Sequence, residues 1–220
     1  MKHRTTRPIL LAAAAILALW PVVTQAAVTF DRATVGNAGN ASDNTGYGGV
    51  DYEYRISKFE VTAGQYAEFL NAVAATDDNG LYNASMSSDD FGCKIQQTGS
   101  PGSYSYSVAD DWADRPVNYV SFWDAARFCN WLHNGQGSGD TESGAYSNIG
   151  DQANFARQPG AKYFIPTEDE WYKAAYHKND GVTANYYEYP TGSDATPSNV
   201  LNQGGNSATF YDLGSGSYTI

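Results

Sequence analysis

Cys93 and Cys129 are the two cysteines of this chain, and as thiolates they would be the groups best suited to holding a soft metal, or as a pair to forming a disulfide. A Cys93–Cys129 bridge would close a loop of about 37 residues and contribute about 3–4 kcal/mol if unstrained. Two inert thiols are the alternative, because Cys129 falls on the apolar stripe of a helical pattern and Cys93 in a Gly-rich loop. His133 and His177 each fall near the C-terminal end of a helical pattern, where the helix dipole accounts for an imidazole without any metal. Asp77-Asp78-Asn79-Gly80 lacks the alternating ligand spacing of a calcium loop. No G-x-S-x-G, H-E-x-x-H, P-loop or paired C-x-x-C occurs, so hydrolase, zinc-protease and nucleotide-binding chemistry find no support.

Three capped helical patterns would position such groups. In 116–135, PVNYVSFWDAARFCNWLHNG, Ser121 stands as N-cap with Asp124 three residues on. Phe122, Ala125, Ala126, Cys129 and Leu132 then repeat at helical spacing, with Asp124, Arg127 and Asn130 on the opposite face. In 164–175, FIPTEDEWYKAA, Thr167 and Glu170 form a capping box after Pro166, and Trp171, Ala174 and Ala175 make a narrow stripe predicted to be buried. Thr62 and Gln65 repeat the box ahead of Tyr66, Phe69, Leu70 and Val73. Strands are predicted over Asp51–Val61, with a bulge near Ser57-Lys58, over 103–108 (SYSYSV) and over Ala161–Ile165. Loops dominate the remainder. The pattern describes an α+β domain: a small twisted antiparallel sheet, two or three helices and long connections.

Residues 1–27 read as a signal peptide: Lys2, Arg4 and Arg7, then an apolar stretch from Ile9 to Val23, then a small-residue cleavage site before Ala27. A membrane anchor is the competing reading, but the stretch is about 15 residues against the roughly 20 that a span needs. Residues 28–220 then form one domain, with no membrane span, in a secreted, periplasmic or cell-surface setting. Losing the three leader cations takes the formal charge from −11 to −14. A surface that acidic repels phosphate backbones, so nucleic acid is not an expected partner, and cations are the more natural small ligands. Asn40-Ala-Ser and Asn83-Ala-Ser are formal glycosylation sequons. Nothing in the pattern sets an oligomeric state.

KFEVTAGQYAEFLNAV (58–73), RPVNYVSFWDAARFCNWL (115–132) and FIPTEDEWYKAAY (164–176) together resemble the formylglycine-generating enzyme family, also called the sulfatase-modifying factor domain. The run 35–62 is similar to a secreted bacterial branch of it. The resemblance implies a variant of the C-type lectin fold. It also implies oxidation of a substrate cysteine to formylglycine by molecular oxygen and a copper(I) ion held by two thiolates, which copper(I) favours as soft ligands. In the family those cysteines follow Gly-Asn-Val-Trp-Glu-Trp and Arg-Gly-Gly-Ser phrases, and neither phrase occurs here. The expectation is therefore a domain truncated at its C-terminus, with no catalytic residue to carry over; a naturally short variant is the alternative. Family members also bind calcium through an Ala-Asn-aromatic phrase. The corresponding run here is Ala208-Thr209-Phe210-Tyr211-Asp212, which makes Thr209, Phe210 and Asp212 the calcium candidates.

Two functional readings follow. One is a secreted relative of the formylglycine-generating oxidases, acting on a polypeptide. The other is a non-catalytic binding module for a protein or peptide, for which 17 tyrosines supply contact surface. No Glu-Pro-Asn or Trp-Asn-Asp phrase of a calcium-dependent sugar reader occurs.

Overall fold

The structure is a computed structural model that describes residues 27–200, 205–214 and 216–218. The expected leader therefore lies, but for Ala27, outside the described residues. Three helices of two turns or more form where the capping signals stand: α1 over Ala63–Val73, α4 over Phe122–His133 and α5 over Glu168–Tyr176, with one-turn helices α2 (Ser85–Ser88) and α3 (Asp110–Ala113) between the first two. Each of the three starts from a complete capping box. Thr62, Ser121 and Thr167 accept from the N–H of Gln65, Asp124 and Glu170, whose side chains in turn accept from the cap N–H.

The main core joins α1 to α4. Tyr66, Phe69 and Leu70 of α1 meet Phe128, Trp131 and Leu132 of α4, with the Phe69 ring 5.3 Å from that of Phe128 and 5.4 Å from that of Trp131. A fully buried Phe or Leu contributes about 2–3 kcal/mol by leaving water, so this aromatic cluster anchors the domain. A smaller core lies on the other side of α4, where Ala126 and Cys129 meet Ala145 and Tyr146. Because α4 runs between two cores, its predicted polar face is buried too. The Asn130 amide donates to the carbonyls of Thr141 and Tyr146 and accepts from the Tyr146 N–H, satisfying the loop that packs there. Asp124 is buried as the acid of the cap. Phe122, predicted on the apolar stripe, is exposed instead and stacks edge-on against Phe155.

Among the described residues the sheet is not one surface but four two-stranded antiparallel ribbons. β1 (Arg32–Val35) pairs β2 (Tyr54–Ser57), β3 (Ile95–Thr98) pairs β4 (Ser105–Val108), β5 (Tyr146–Ser147) pairs β6 (Ala156–Arg157), and β7 (Tyr211–Asp212) pairs β8 (Ser217–Tyr218). The long strand expected over Asp51–Val61 is thus four residues, because β1, its one partner among the described residues, is also four long. No strand forms over Ala161–Ile165; that run packs as a loop whose Ile165 N–H donates to the Tyr146 hydroxyl. Among the described residues no helix is long and apolar enough to cross a membrane.

Helix α5 departs most from expectation. Trp171 is 51 % exposed, Ala174 and Ala175 are half-buried, and the buried side chains are Glu170 and Lys173. The physical reason is what α5 packs against. Instead of an apolar helix it meets the irregular run 37–50, which presents backbone carbonyls. Lys173 Nζ donates to the carbonyls of Asn37 (3.0 Å) and Val50 (3.4 Å). Gly48 closes the contact: its N–H donates to Asp169, and with φ of 89° a side chain there would run into the Tyr186 ring.

Candidate functional site

A cleft of about 530 Å³ lies between β2 and the loop that follows β6, bounded by Tyr52, Glu53, Tyr54 and Arg55 on one side and residues 157–162 and Phe164 on the other, with Arg32 reaching in from β1. Its back wall is an ion pair between a half-buried Arg157 and a buried Glu170. Arg157 at the end of β6 donates through Nη1 to both oxygens of Glu170 (2.9 and 3.1 Å) and through Nη2 to the Tyr52 hydroxyl (3.0 Å). Tyr52 in turn donates to Glu170, and the Tyr54 hydroxyl donates to the Glu170 carbonyl. Burial alone would raise the Glu170 carboxyl, but the hydrogen bonds from Tyr52, the Thr167 N–H and Arg157 outweigh it and hold the group below its ordinary value. The same surroundings push the Tyr52 and Tyr54 phenols up, burial first and the neighbouring carboxylate with it. Glu170 is thus one residue with two tasks: it completes the α5 cap and it fixes Arg157 at the cleft.

The sequence does not mark this cleft. Glu170 stands out in it only as a capping acid, and Arg157 lies in a Gly-rich loop run with no periodicity to mark it. The alternation Tyr52, Tyr54, Ile56 did carry a usable signal, since it puts Arg55 on the face away from the core.

The thiols stand elsewhere. Cys93 belongs to the main core, where its N–H donates to the Asn118 side chain, and Cys129 to the smaller core. Both are buried free thiols, so the candidate Cys93–Cys129 disulfide is not formed in this structure. Burial pushes the Cys129 thiol up to about 12. The copper(I) site that the family resemblance implies is a pair of thiolates, the soft ligands that ion favours; a thiol held protonated in one core and a second in another do not fit it. His133 and His177 end α4 and α5 as expected, and their Nδ1 atoms accept from the N–H groups of Lys162 and Asn179. Asp77 binds the N–H groups of Leu81 and Tyr82, a turn role. Among the described residues no three His, Cys, Asp or Glu side chains converge as a metal-holding group. Thr209 is exposed and Phe210 half-buried just before β7; the Asp212 side chain lies outside the described residues. Of the two sequons, Asn40 is 4 % exposed with its amide nitrogen bonded to Gly48 O and Tyr186 Oη, whereas Asn83 is exposed.

A model of the sulfatase-modifying factor enzyme 1-like domain matches residues 42–218. The chain belongs to this family. The match takes in all three capping boxes, Arg55 and the whole Arg157–Glu170 wall of the cleft. Comparison with curated proteins gave no match, and comparison with solved structures gave none.

Proposed function

We propose that this chain is a secreted formylglycine-generating-type domain, with the C-type-lectin-like frame its family implies, whose part in any cysteine oxidation is to recognise the polypeptide. The observation that carries the reading is the placement of the thiols: Cys93 and Cys129 are buried free thiols in separate core clusters, and burial pushes the Cys129 thiol up, so copper(I) chemistry is not assigned to them. The family match supports a polypeptide as the ligand, and the acidic surface argues against nucleic acid. The basic, then apolar, then small-residue order of the first 27 residues supports export. Calcium belongs to the same proposal as a ligand of the Ala208–Asp212 run: the Thr209 hydroxyl, the Phe210 carbonyl and the Asp212 carboxylate are the hard oxygen donors it takes.

Titrating the anaerobic, reduced protein with copper(I) against a chromophoric chelator tests the assignment. We expect no stoichiometric tight binding, with Cys129→Ser indistinguishable from the unaltered chain. Tight one-to-one binding lost in Cys129→Ser would overturn it.

A further inference from the structure

We propose that the cleft between β2 and the 157–164 loop binds an extended polypeptide segment through one or two of its carboxylates. This rests on the reading of the domain as a polypeptide binder and adds where the segment lies and what it must carry.

The first argument is electrostatic. Ten basic residues follow the leader. Seven of them are engaged: Lys58, Arg127, Arg157 and Lys178 pair with carboxylates, and Lys94, Arg115 and Lys173 donate to backbone carbonyls. The side chains of the other three, Arg32, Arg55 and Lys162, have no hydrogen-bond or ion-pair partner among the described residues, Arg32 lying only over the Tyr163 ring, and all three line this one cleft. In a chain with so large an excess of acid, unpaired cations would be the easiest to satisfy, so their gathering calls for an anion from outside. Arg32 and Arg55 also stand on one face of the β1–β2 ribbon, since Arg55 is opposite Thr34 and Arg32 opposite Ser57.

The second argument concerns the shape of the ligand. At about 530 Å³ the cleft far exceeds a single small anion and suits a few residues of chain. β2 pairs only with β1 among the described residues, which leaves its outer edge open. Residues of both faces, Tyr52 to Arg55, line the cleft, as expected where a cleft follows a strand edge. An extended peptide can hydrogen-bond to such an edge while guanidinium groups take its carboxylates side-on. Glu53 in the same wall, and the net negative charge around it, oppose a densely charged polyanion but accept a segment with one or two acids. Arg157 is already held by Glu170 and serves as a fixed post rather than a free cation.

Fluorescence anisotropy with the full chain tests this, using a labelled extended octapeptide containing two Glu residues and its Gln counterpart. We expect the Glu peptide to bind at least tenfold more tightly, the preference to shrink as salt is raised, and the double variant Arg55→Gln/Lys162→Gln to lose the preference while its melting temperature stays unchanged. Equal binding of the two peptides would overturn the carboxylate assignment while leaving polypeptide recognition standing. Failure of both peptides to bind would overturn both. More effective displacement of the Glu peptide by inorganic phosphate or by a sulfated oligosaccharide than by unlabelled peptide would overturn the choice of ligand. A preference that survives the double variant would move the site away from this cleft.

Discussion

Helices α4 and α5 both begin with a hydroxyl cap and an acid at the third helical position, yet α4 buries Phe128, Trp131 and Leu132 while α5 buries Glu170 and Lys173 and leaves Trp171 half in water. The difference lies in the partner. Helix α4 faces α1, which has satisfied its own backbone and offers only side chains, so apolar contact is the favourable solution. Helix α5 faces the 37–50 run and the wall formed by Tyr52 and Arg157, where carbonyls and a guanidinium would otherwise be buried unpaired, so it supplies an ammonium and a carboxylate. One side of the domain is thereby a rigid aromatic anchor. The other is a polar wall held in place by charge, and the cleft opens there.

The sharpest way to break this comparison is to truncate one aromatic residue from each helix. Phe128→Ala should lower the unfolding free energy by about 3–5 kcal/mol, and Trp171→Ala, although it removes the larger side chain, by about 0.5 kcal/mol or less, both read by urea denaturation. A greater loss at Trp171 would reverse the roles assigned to the two helices. Next in size is Glu170→Gln, expected to cost about 2–3 kcal/mol, less than a wholly buried pair because Arg157 keeps contact with solvent. Since the Glu170 carboxyl is held below its ordinary 4.5 in the folded state, its contribution is fully present above that pH and is lost as pH falls through the folded value. Stability measured from pH 6 downward should therefore fall less steeply in Glu170→Gln than in the unaltered protein; parallel curves would remove Glu170 from the account. The smallest effect sharpens the contrast. Ser121→Ala and Thr167→Ala should each cost about 1 kcal/mol, nearly equal, because a cap acts on its own first turn whatever the helix buries further along.

The three long helices, their cap residues and the buried Tyr66, Phe69 and Leu70 were legible in the chain, because a capping box and a helical repeat are satisfied within four residues of themselves. The family was legible too, from phrases built around those same caps. Which face of α5 goes inside was not. Trp171 and Lys173 are two positions apart, and only the carbonyls of Asn37 and Val50, more than a hundred residues earlier, decide in favour of the lysine. The cleft was equally hidden, since Arg32, Arg55, Arg157 and Lys162 come from separate segments whose charges show no pattern until β1 pairs with β2 and β6 brings Arg157 to Glu170. Sequence alone determined what each segment could satisfy by itself; the tertiary structure decided which unsatisfied groups meet, because burial penalises a polar atom only once a distant segment has displaced its water.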